Sequence, residues 1–169
     1  MRGAAESSQA PVVYRERITP EAGNLQFLTC GEYELAAGAQ TRLAAWPADA
    51  NAGGETARLW LCRAPAERVH PPFHAEFASV SREESRIRRL KGKNVYLLLD
   101  VAEPADRLVA GYTFFEPYAR SWPPHNHTDQ EEVYIFLQGR GSMEVYESPE
   151  SLTFVHNVGE GYAVSMAPV

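Results

Sequence analysis

The chain has 169 residues, 44% of them hydrophobic and 22% charged, with a formal net charge of −6. That is enough chain for one full domain, or for a domain with a short partner, and its composition is that of a soluble globular protein. The negative balance disfavours a phosphate-backbone partner, and no basic stripe studded with aromatics is present, so nucleic acid is excluded as a partner. No apolar run is long enough to span a membrane.

Residues 1–11 are small and polar and lack the apolar core of a signal peptide, so they read as a disordered leader on a cytoplasmic protein. From Val12 to Ala66 the pattern is short strands split by turns. Residues 24–30 and 33–35 are predicted strands separated at Gly31, and residues 57–63 alternate most clearly. Residues 48–55 read as a loop. Cys30 and Cys62 show neither metal nor redox spacing and read as two reduced thiols. The region carries no chemical constellation and is too short for a complete β-sandwich.

From residue 67 onwards the chain reads as a second domain that runs to residue 169. Residues 64–74 form a proline-stiffened connector; His70 and His74 have helical ligand spacing, but Pro71 and Pro72 forbid the helix. One short helix is predicted within residues 79–90. It includes most of the one basic cluster, Arg82, Arg86, Arg88, Arg89, Lys91 and Lys93, interleaved with Glu83 and Glu84 as in a solvated face. Strands are predicted at 94–100, interrupted at Pro104, and then at 107–115, 132–138, 142–146, 152–156 and 162–166. Many short strands with turn signals between them predict an all-β protein of jelly-roll or small-barrel type.

The chemistry concentrates in Pro123-Pro124-His125-Asn126-His127-Thr128-Asp129-Gln130-Glu131-Glu132, followed by Val133-Tyr134-Ile135-Phe136-Leu137-Gln138-Gly139. In a strand, residues two apart share a face, so His125 and His127 would aim two imidazoles at one point. Glu132, five residues after the second histidine, opens the next strand and returns a carboxylate to the same place. Two neutral nitrogens and one hard oxygen suit a borderline or hard divalent ion such as Zn, Mn, Fe or Ni.

The run from His125 to Gly139 resembles the first motif of the cupin superfamily, two histidines, a glutamate and a closing glycine. The glycine usual ahead of the histidines is replaced, since Tyr118 and Ala119 occupy that turn. The chain further resembles the 5-deoxy-glucuronate isomerase family of inositol catabolism, a relative of the 4-deoxy-5-ketouronate isomerase of pectin breakdown. Arg63-Ala64-Pro65-Ala66, Pro104-Ala105-Asp106-Arg107-Leu108-Val109-Ala110-Gly111, Trp122-Pro123-Pro124-His125-Asn126-His127 and Glu131-Glu132-Val133-Tyr134 carry that resemblance.

The resemblance implies a cupin jelly-roll barrel with a shortened N-terminal β-domain, and a metal-dependent aldose–ketose isomerase acting on a deoxy-uronate. It implies a divalent ion, zinc or manganese, held by His125, His127 and Glu132. Its family supplies a fourth ligand, a histidine beyond a Gly…Pro strand; residues 161–168 resemble that strand, the sequence reaches Val169 before such a histidine, and His156 does not fit the position.

A base must move the proton between adjacent carbons, and a cation must meet the uronate carboxylate. Glu132, Tyr134 and Tyr146 are the candidate catalytic residues, with Glu144 as a further candidate base; Arg107, Arg120 and Arg140 are the candidate carboxylate ligands. A different metal cupin enzyme, such as an iron oxygenase, and a non-catalytic sugar-binding cupin are the alternatives. Self-association into a homo-oligomer is expected, because shortened barrels leave strand edges and apolar faces to be covered.

Overall fold

The structure, a computed structural model, describes residues 12–41, 49–50, 53–103 and 107–169. The expected leader at 1–11 and the interruption at Pro104 lie outside the described residues, as does part of the loop expected at 48–55. The described chain is all-β, compatible with a jelly roll, and divides into two compact units between Arg63 and Ala64.

The first unit is a three-stranded antiparallel sheet in the order β1 (Val12–Ile18), β2 (Thr29–Leu35), β5 (Ala57–Arg63), with a short pair β3 (Gln40–Thr41) and β4 (Asp49–Ala50). A single helical turn, α1 (Pro20–Gly23), links β1 to β2. Its start is set chemically: the Thr19 hydroxyl accepts from the Ala22 N–H at 3.1 Å, and Pro20 fits the first helical position, where no N–H is needed.

Gly31 does not divide two strands, as its residue type suggests; β2 runs straight through it. It lies across from Glu16, and a side chain there would run into the ring of Tyr14, which also packs on Tyr33 with ring centroids 4.6 Å apart. The glycine is thus a seat for an aromatic ring rather than a break. Ile18, Leu25, Cys30, Leu35 and Ala39 are buried in this unit.

Among those apolar residues sits Glu32, at 0% exposure. It survives there because Arg17 reaches one carboxylate oxygen at 2.6 Å and the Arg58 Nε reaches the other at 2.7 Å. Arg58 stands opposite Glu34 in the register and reaches Glu32 diagonally. Burial pushes the Glu32 carboxyl up, but the two guanidinium hydrogen bonds outweigh it and hold the group below the usual carboxylate range.

The second unit opens with the turn α2 (Phe77–Val80) and a 3-10 turn at Glu84–Arg86. A sheet follows in the order β6 (Ile87–Leu90), β7 (Lys93–Leu99), β8 (Ala110–Phe115). The single helix expected over residues 79–90 is therefore overturned: its second half is a strand. Ile87 to Leu90 pair with β7, and Arg86 reaches across to the Leu97 carbonyl at 3.2 Å and to the Glu103 carboxylate. Cross-strand partners decide the conformation over local propensity. Lys91 and Gly92 form the two-residue hairpin between β6 and β7, with Gly92 at φ +72° and Ala119 where its Cβ would stand.

Two antiparallel pairs complete the unit. The strand β9 (Glu132–Ile135) pairs with β12 (Ala163–Met166), and β10 (Arg140–Ser148) pairs with β11 (Ser151–Gly159). The second pair is longer than its sequence suggests, whereas β9 stops at Ile135, short of the expected Gln138.

Candidate functional site

The histidine motif lies ahead of β9, and residues 120–131 include no strand. The strand expected to carry His125 and His127 is thus corrected to an irregular loop. Pro123 and Pro124 have no N–H to give to a ladder, and the Trp122–Pro123 bond is cis. The two imidazoles are neighbours all the same. Their ring centroids are 5.4 Å apart and their planes stand at 82°.

Glu132 opens β9, as its position in the sequence implies, and its Oε2 lies 3.4 Å from the His127 Nε2. Both side chains are about one-third exposed, so the pair faces accessible space. Tyr134 shares the face of Glu132 by strand alternation, which sets its phenol beside the Glu132 carboxylate. Burial first, then the Glu132 charge and the hydrogen bond to it, push the Tyr134 phenol well above its ordinary range; it is held as a proton donor to the carboxylate. On the other side of the motif the Val169 N–H donates to the His127 carbonyl at 3.0 Å.

The donors suit a divalent ion in kind, and in part in position. With metal–nitrogen bonds of about 2 Å, two imidazoles on one ion have centroids roughly 5 Å apart, close to the observed separation. His127 and Glu132 are in reach of one point. The full set is not drawn together: among the described residues no group of three His, Cys, Asp or Glu side chains converges closely enough to hold an ion. His125 is the more exposed of the two rings and is the side chain that would have to turn inward.

A second cluster stands beside the motif in sequence and was only half legible there. Arg120 lies over the Trp122 ring, 4.5 Å from its centroid, while its Nε donates to the Glu144 Oε2 at 3.0 Å. The Tyr146 hydroxyl donates to the same Glu144 oxygen at 2.7 Å and also meets the Arg120 guanidinium. The Trp122 and Tyr146 rings meet edge to face at 5.7 Å. Glu144 and Tyr146 share a face of β10 because they are two residues apart. The hydrogen bond from Tyr146, then that from Arg120, holds the Glu144 carboxyl low; the bond to Glu144 raises the Tyr146 phenol. Trp122 was not singled out from the sequence as a member of any site. Its signal is its place three residues before His125.

The remaining candidates separate cleanly. Arg107 is paired with Glu67 at 2.7 Å, on an exposed surface. Arg140 begins β10 opposite Gly159 and, among the described residues, forms no ion pair. His156 is exposed on β11, across from Met143, with its ring 6.1 Å from that of Tyr162. His74 helps line a cavity of about 320 Å³ with Phe73, Glu76, Ser79, Glu83 and Arg86. Within the basic cluster Arg86 pairs with Glu83 and Glu103 and Arg89 with Glu84 at 2.6 Å, while Lys93 donates to the Ser121 hydroxyl at 2.6 Å.

The described chain is all-β and sets an imidazole and a carboxylate side by side where β9 begins. The chain belongs to the KduI/IolB family, whose family model matches residues 44–168. This is an isomerase family of uronate and keto-deoxy sugar metabolism. No curated protein and no solved structure matches the chain. The matched span contains the whole histidine motif, the Arg120 cluster and Arg140.

Proposed function

We propose that this protein is a metal-dependent aldose–ketose isomerase of a deoxy-uronate, of the 5-deoxy-glucuronate type found in inositol catabolism, built on a cupin jelly roll and working in the cytoplasm. The observation that carries the reading is the approach of His127 Nε2 to Glu132 Oε2, 3.4 Å, with the His125 ring alongside. His125, His127 and Glu132 would hold a divalent ion, zinc or manganese. Bound there, the ion supplies polarisation of the sugar carbonyl and stabilisation of the enediolate charge.

The chain's own residues divide the remaining work. Tyr134, whose phenol interacts with the Glu132 carboxylate, orients that carboxylate. Tyr146 and Glu144, bonded at 2.7 Å, form a hydroxyl–carboxylate pair suited to passing a proton between neighbouring carbons. Trp122 and Arg120 brace that pair. Of the three candidate cations, Arg107 and Arg120 are already matched to Glu67 and Glu144. Arg140 is the one left for a substrate carboxylate.

The same reading carries self-association. Val145 and Phe154 face each other across β10 and β11, each about half exposed, with Leu152 nearby. An apolar ribbon of this kind is suited to cover by a second copy.

The deciding experiment is metal analysis of the purified protein together with a ketol-isomerase assay on 5-deoxy-glucuronate. Stoichiometric zinc or manganese with turnover supports the proposal. Iron with oxygen consumption would make the protein an oxygenase, and no retained metal with no turnover would make it a binding protein.

A further inference from the structure

Cys30 and Cys62 are separated by a long stretch of sequence, yet the register of β2 and β5 puts them directly opposite each other. Opposed residues of an antiparallel pair have Cα atoms about 4.5–5.5 Å apart, inside the span of about 4.4–6.8 Å that a disulfide bridges. The side chains point together: the two Sγ atoms are 2.7 Å apart. Both thiols are free. They are the only cysteines in the chain.

We propose that Cys30 and Cys62 form an oxidisable dithiol, a cross-strand site that closes to a disulfide on reaction with a low-molecular-weight disulfide such as oxidised glutathione. The two sulfurs have different roles because they differ in access: Cys30 is 1% exposed and Cys62 is only partly buried. Cys62 attacks first. Its thiolate bonds to one glutathione sulfur, the glutathione S–S bond breaks, and one glutathione leaves as thiolate to take up the Cys62 proton. Cys30 then attacks the Cys62 sulfur of the mixed disulfide, and the second glutathione leaves carrying the Cys30 proton. Two protein thiols are oxidised and one glutathione disulfide is reduced to two thiols.

The hydrogen bond to Cys62, then burial, holds the Cys30 thiol above its usual range, and the same bond lowers that of Cys62. That division matches an exposed attacking sulfur and a buried resolving one. The bridge would rivet the central strand of the first sheet to its neighbour and enclose residues 31–61.

The test is oxidation of the full chain with oxidised glutathione, native and in denaturant, followed by alkylation under denaturing conditions and intact-mass measurement. The expected native product is a single covalent chain with no intermolecular disulfide, has lost two hydrogens, takes up no alkylating agent and carries no glutathione. It forms at least tenfold faster than in the unfolded chain, and its unfolding midpoint rises by several degrees and falls back on reduction. Cys30→Ser should stop at a glutathione adduct on Cys62, and Cys62→Ser should react slowly or not at all. Two alkylatable thiols after native oxidation, a stable adduct on the wild type, or equal rates in native and unfolded protein would each overturn the proposal.

Discussion

Val169 donates its backbone N–H to the carbonyl oxygen of His127 at 3.0 Å, a bond beyond the β12–β9 pairing that ends at Met166 and Glu132, and two residues out of its register. The second histidine of the motif is therefore held from two sides, by the backbone of the segment after β12 and by the Glu132 carboxylate at its ring. One backbone bond and one side-chain contact thus tie it down although it lies in a loop.

Replacement of His127 by alanine separates site from fold. The ring is partly exposed and, among the described residues, meets Glu132 and the His125 ring, so the unfolding free energy should change by no more than about 1 kcal/mol, as at ordinary surface positions. Metal retained through dialysis should be lost. Stoichiometric zinc or manganese in His127→Ala, measured by elemental analysis, would remove His127 from the ligand set.

Tyr134→Phe deletes one hydroxyl and leaves the ring in place. Groups that orient a metal-bound carboxylate typically matter by about 10–100-fold in affinity or activity. The variant should fold normally and show a loss of that size in calorimetric zinc affinity. An unchanged affinity would mean the Glu132 contact does not orient the ligand.

Glu32 predicts how the first unit responds to acid. Its folded carboxyl titrates below the unfolded value of about 4.3, because Arg17 and Arg58 outweigh the cost of burial. Its contribution is therefore fully present above that value and is lost as pH falls through the lower folded one. Glu32→Gln should cost most at neutral pH, near the lower end of the about 3–5 kcal/mol seen when one partner of a buried pair is removed, since both arginines keep partial access to water. The difference between variant and wild type should shrink below pH 4 in denaturant titrations.

For the carboxylate of the proposed substrate, Arg140→Ala and Arg107→Ala form a matched pair. A charge-assisted hydrogen bond contributes about 1.5–3 kcal/mol, so Arg140→Ala should raise KM for a uronate by at least tenfold and leave it unchanged for the corresponding neutral sugar. Arg107→Ala, which opens only the surface pair with Glu67, should leave KM alone. Equal effects would exclude Arg140 from recognition.

If β10 and β11 meet a second copy, Phe154→Ser should lower the mass seen by light scattering at micromolar concentration towards that of the monomer. A wild type that is already monomeric there would dispose of self-association.

What could be read from the sequence follows from how local each cause is. Alternation made β5 legible, the apolar run from Val95 to Leu99 did so for β7, and the spacing from His127 to Glu132 located the start of β9. Gly31 misled because its role depends on the Tyr14 ring from another strand. The segment containing Ile87 misled because its conformation is decided by β7 and by the reach of Arg86 to the Leu97 carbonyl. The histidine loop followed from Pro123 and Pro124, whose missing donors outweigh the strand-like spacing of His125 and His127. Cys30 and Cys62 gave no local sign at all, since only the β2–β5 register brings them together.

The pairing of β9 with β12 has a consequence for synthesis. During translation Glu132 and Tyr134 leave the ribosome well before Val164 and Met166, the residues they will lie against. Until those later residues emerge, the strand that begins at Glu132 lacks this neighbour and leaves an edge open to other nascent chains. The proposed reaction centre is therefore complete only after residues 163–166 have emerged.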